Sequence, residues 1–121
     1  MLRRLALLCL LPLGACALAS QPGTAPSAFD AVYSGTVTYI HAAPNGCPST
    51  EPKPSKLSVE NGAVVWASGG TNLYAPVARD GSFYTTSGLV YFSGKITNRS
   101  MVARVNTGSC HQIYDLTRPQ A

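Results

Sequence analysis

Phe29-Asp30-Ala31-Val32-Tyr33-Ser34-Gly35-Thr36-Val37-Thr38-Tyr39-Ile40-His41 is a long alternating run, followed six residues later by Cys47. Tyr33, Gly35, Val37 and Tyr39 share one face and Ser34, Thr36 and Thr38 the other, the period-two pattern of a half-buried β-strand. The partner expected for Cys47 is Cys110, which opens the last alternating run, His111 to Arg118. Stapling the first strand to the last predicts a sheet that closes on itself. Gly35, in the middle of the inward face, is expected to let the first strand coil sharply.

The run between these ends divides into further short strands. Ala42 to Ser55 holds Pro44, Pro48, Pro52 and Pro54 and reads as the longest loop, because proline gives a ladder no donor. Asn61-Gly62 separates Lys56-Leu57-Ser58-Val59-Glu60 from Ala63-Val64-Val65-Trp66-Ala67 and predicts a type I′ hairpin. Asn72 to Val77 follows, with Pro76 limiting its pairing; then come Ser82–Thr86, Leu89–Ile96 and a strand in which Met101, Ala103 and Val105 oppose Val102, Arg104 and Asn106. Val90, Phe92, Gly94 and Ile96 form the apolar side of the sixth strand, against Tyr91, Ser93 and Lys95. No helical period occurs in this part.

The expected fold class is therefore all-β: an up-and-down antiparallel meander of about eight strands closing into a barrel, with a two-sheet β-sandwich as the alternative. In an even-numbered meander the first and last strands run antiparallel and can pair. The chain of 121 residues, 45% hydrophobic and 12% charged, suffices for one such core and not two.

Residues 1–19 read as an export signal: Arg3-Arg4, then an apolar run from Leu5 to Leu13 too short to span a bilayer as a helix. Leu13-Gly14-Ala15-Cys16 resembles the lipobox of bacterial lipoproteins, which would make Cys16 the acylated first residue. Ala17-Leu18-Ala19 offers ordinary signal peptidase a competing site, releasing the chain at Ser20. The lipid-anchored reading places the protein at the periplasmic face of the outer membrane, since Ala17, not aspartate, follows Cys16; the competing one makes it periplasmic or secreted. Residues 20–28 read as a flexible tether and 29–118 as the barrel domain.

Loss of Arg3 and Arg4 lowers the formal charge from +4 to +2, seven basic side chains against five acidic, spread without a cluster. That excludes a phosphate-tracking surface, so no nucleic-acid partner is expected. Cys47 and Cys110 remain as an even pair in an oxidising compartment, where a disulfide is expected. The loop of about 64 residues that it closes gives on the order of 4 kcal/mol by chain entropy.

Residues Phe29-Asp30-Ala31-Val32-Tyr33-Ser34-Gly35, Cys47-Pro48, Asp80-Gly81-Ser82-Phe83, Cys110 and Tyr114-Asp115-Leu116-Thr117-Arg118 resemble an uncharacterised family of small exported alphaproteobacterial β-proteins with a Phe-Asp-Gly-x-Tyr-x-Gly start. Ala31 stands where that family has glycine. The resemblance implies a β-fold and export and carries no activity with it.

His41, Cys47, Cys110 and His111 are zinc-ligand types. Cys110 and His111, adjacent on a strand, point to opposite faces, so no metal site is expected. Two histidines and scattered acids supply no base beside a nucleophile, and the chain is expected to be neither an enzyme nor a cofactor binder. Tyr33, Val37, Tyr39, Phe92 and Tyr114 are the candidate lining of an interior ligand cup. Together with Trp66, Tyr74, Tyr84 and Tyr91 the aromatics either stack on sugars or fill the barrel, and filling is the commoner use. The functional expectation is a non-catalytic, lipid-anchored envelope domain with a binding or structural role, acting on an envelope protein or a small ligand. The alternative is a soluble periplasmic barrel that binds a small ligand or resembles a protease inhibitor.

Overall fold

The computed structural model describes residues 27–119 apart from Gly69. After a 3-10 turn at Ser27–Phe29 come eight strands: β1 Ala31–His41, β2 Lys53–Glu60, β3 Ala63–Ser68, β4 Thr71–Pro76, β5 Ser82–Ser87, β6 Val90–Thr97, β7 Ser100–Asn106 and β8 Cys110–Thr117. All are antiparallel and belong to one sheet in the order β4-β3-β2-β1-β8-β7-β6-β5, so the expected barrel is present and the two-sheet sandwich is not. β1 and β8 pair continuously from Ser34↔Thr117 to His41↔Cys110. Cys47 and Cys110 are disulfide-bonded with their Cα atoms 5.0 Å apart.

Alternation is what drives the closure. The inward residues Tyr33, Val37, Leu57, Val59, Val64, Trp66, Leu73, Ala75, Phe83, Phe92, Ile96, Met101, Ala103, Val105, Tyr114 and Leu116 all belong to one buried cluster, drawn from all eight strands. Burying this apolar surface is the main favourable term in a domain of this size. Asn61 and Gly62 both have positive φ, 52° and 79°, as the expected type I′ turn requires. A Cβ at Gly35 would run into the Asp115 carbonyl oxygen, so glycine lets β8 approach β1 closely at this point.

Several strand boundaries differ from the sequence reading, most of them by one residue. The first strand begins at Ala31, because Phe29 closes the 3-10 turn, which also takes Ser27 and Ala28 out of the expected tether. β2 begins at Lys53 and includes Pro54, which pairs with Thr36. The proline is tolerated because β3 pairs β2 only from Ser58 onward, leaving residues 53–57 with one neighbouring strand and one free side. The last strand begins at Cys110, one residue before His111.

Candidate functional site

The five residues expected to line a cup are brought together inside the barrel, and they pack there. Tyr33 and Phe92 are fully buried, Val37 and Tyr114 nearly so, and Tyr39 is half-buried against the same cluster. Phe92 lies with its ring centroid 5.4 Å from that of Phe83 and 6.4 Å from that of Trp66, both tilted, the favoured geometry for aromatic neighbours. Trp66 Nε1 donates to the Tyr114 hydroxyl at 2.9 Å, and that hydroxyl donates to Gln112 Oε1 at 2.7 Å, so the buried polar tips are satisfied. Burial pushes the Tyr114 phenol above its ordinary 10.0, Trp66 pulling against the rise and Tyr39 adding to it. These side chains serve as filling.

The motif residues at the two ends of the chain also carry structural roles. Tyr33 donates its hydroxyl to the Phe29 carbonyl at 3.0 Å, and burial raises its pKa while Arg118 lowers it and Asp30 raises it. Asp30 accepts from the backbone N–H groups of Asn61 and Gly62 at 3.0 and 2.9 Å, holding the β2–β3 turn against the start of β1. Arg118 lies over the Tyr33 ring at 5.8 Å and donates to the Ala28 carbonyl. At the β4–β5 turn Asp80 accepts from the Ser82 hydroxyl and N–H, bonds that hold its carboxyl below its ordinary 3.8.

The remaining candidates do not converge on chemistry. His41 Nε2 reaches the main-chain oxygen of Ser49 at 3.1 Å, while the Ser49 hydroxyl bonds to Glu51, so no hydroxyl is activated there. Both cysteine sulfurs of the zinc-type set are consumed in the disulfide. Cys16 lies outside the described residues.

Three of the tyrosines do not fill the core: Tyr74, Tyr84 and Tyr91 stand on the outer wall. Tyr84 and Tyr91 line a groove of about 270 Å³ together with Ile40, Arg104, Asn106 and His111. These residues form two adjacent rows of cross-strand neighbours, Tyr84–Ser93–Arg104–Ile113 and Tyr91–Asn106–His111–Ile40, running from β5 or β6 to β8 and β1. The signal for Tyr84 and Tyr91 was in the sequence, each being one residue from an inward phenylalanine; the groove formed across five strands was not. Comparisons with known protein families, curated proteins and solved structures find no match to this chain.

Proposed function

We propose that this protein is a non-catalytic binding module of the bacterial cell envelope, exported by an N-terminal signal cut before Cys16 and held to a membrane by a lipid on Cys16. The observation that carries the binding part is the filled interior: with Tyr33, Phe92 and Leu116 almost wholly buried, a ligand must be met on the outside of the wall. The anchor rests on Leu13-Gly14-Ala15-Cys16 after the apolar run. A membrane partner through that anchor suits the layout of the barrel. Ala28, where the tether enters, is held at the end containing Arg118, whereas His41 and Cys110 lie at the opposite end of β1, about 30 Å along the strand. An anchored barrel would thus present its disulfide end to the periplasm.

Growth with labelled palmitate tests the anchor. Label is expected on the wild-type protein and absent from Cys16→Ser, with the variant leaving the membrane fraction. Unchanged labelling and fractionation, with a mature chain beginning at Ser20, would replace the anchored form by a soluble periplasmic one.

A further inference from the structure

The geometry points to the outer groove between Tyr84, Tyr91, Arg104, Asn106, His111 and Ile40 as a binding site for a carboxylate-bearing saccharide. This names the ligand class of the binding module proposed above and rests on that reading.

Four features converge on this ligand. The tyrosine rings are exposed, Tyr84 by 63% and Tyr91 by 51%, and Thr86↔Tyr91 and Tyr84↔Ser93 pairing makes them diagonal neighbours on one face. Exposed rings on a fixed wall offer flat apolar faces on which the C–H face of a sugar ring can stack, at little entropic cost to the protein. Ser93, Asn106 and His111 surround the rings with hydrogen-bonding groups for ring hydroxyls. Asn106 spends its Oδ1 on the Gly108 N–H at 2.8 Å, which leaves its amide N–H groups to donate to a ligand.

Arg104 sets the charge preference. It is flanked by Ser93 on β6 and Ile113 on β8, and the groove lining contains no Asp or Glu. A guanidinium so placed pairs best with a planar carboxylate, which it can hold through two N–H donors. A purely aliphatic ligand would strip water from Arg104 and Asn106 without replacing its hydrogen bonds. An extended peptide finds no strand partner on the groove floor either, because β6, β7 and β8 have paired neighbours on both sides there. The groove volume suits one or two sugar rings.

The test uses the exported protein and its Cys16→Ser form, titrated calorimetrically with tri-galacturonic acid, with maltotriose as the uncharged counterpart and inorganic phosphate as a simple anion. Both forms are expected to bind the acidic trisaccharide equally, and maltotriose at least tenfold more weakly. Tyr84→Ala and Tyr91→Ala should each weaken binding about tenfold, while Tyr84→Phe, which keeps the ring, should bind within about twofold of wild type. Arg104→Gln should abolish the preference for the acidic sugar, and Lys56→Gln, outside the groove, should leave it intact. All these positions face solvent, so melting temperatures should stay close to wild type. Absence of binding to either sugar, retention of affinity in both tyrosine-to-alanine variants, or equal binding of phosphate would overturn the saccharide site. The palmitate experiment would still decide the anchor separately.

Discussion

The barrel closes through two joins of opposite character. The join between β1 and β8 brings together the strands farthest apart in sequence, yet it carries eight consecutive register pairs and the Cys47–Cys110 bond. The join between β4 and β5 unites consecutive strands, yet it amounts to the single bridge Val77↔Phe83 and an Ala78 N–H to Ser82 carbonyl bond of 2.8 Å. Proximity along the chain therefore does not decide where the wall is tight. At the first join the small Gly35 lets the backbones meet. At the second, β4 ends in Pro76, which has no N–H to offer, and the turn that follows turns its hydrogen bonds elsewhere: Val77 N–H to the Gly62 carbonyl, and the Gly81 carbonyl to the Ile96 N–H.

Removing the covalent part of the strong join should have the largest effect. Cys110→Ser is expected to cost about 4 kcal/mol at most and to lower the midpoint of thermal unfolding by more than ten degrees. An unchanged midpoint would mean that the ladder alone closes the barrel, and that the contrast between the joins lies in hydrogen bonds only.

Gly35→Val attacks the same join without touching the bond. The added side chain would meet the Asp115 carbonyl, so a loss of about 2–3 kcal/mol is expected in urea unfolding, in the range of overpacked sites. A neutral result would show that β8 can draw back from β1 freely.

The smallest effect belongs at the weak join. Because its bonds to Ser82 lower the folded-state pKa of Asp80 below 3.8, its contribution is fully present above that ordinary value and is lost as the pH falls through the lowered one. Asp80→Ala should therefore flatten the acid limb of the stability profile slightly. At neutral pH it should speed amide exchange at Ala78 and Ser82 and leave Gly35–Tyr39 protected. Equal exchange at the two joins in the wild-type protein would remove the distinction between them.

Much of this architecture was legible in the sequence, for identifiable reasons. Period-two alternation placed Tyr33, Val37 and Phe92 inside; Asn61-Gly62 marked its turn; and an even pair of cysteines pointed to the β1–β8 join. What escaped depended on partners that a strand cannot announce. Pro54 sits in a paired strand because its other side is vacant, which is a property of where β3 stops. The looseness between β4 and β5 follows from what the turn residues bond to across the barrel. The outer groove needs the register of five strands at once, since Tyr84 and Ile40 are 44 positions apart and meet only through the intervening ladders.

The disulfide also bears on how the chain reaches this state. Every strand pairing except β1–β8 links neighbours in the meander, so hairpins can form as the chain emerges, and the slow event is the one encounter that spans nearly the whole domain. If the chain is exported from its N-terminus as proposed, Cys47 emerges 63 residues before Cys110. Between them the chain has no third cysteine. An oxidant that captured Cys47 early could then hand its bond only to Cys110 within this stretch, leaving no scrambled pairing between them to be reshuffled.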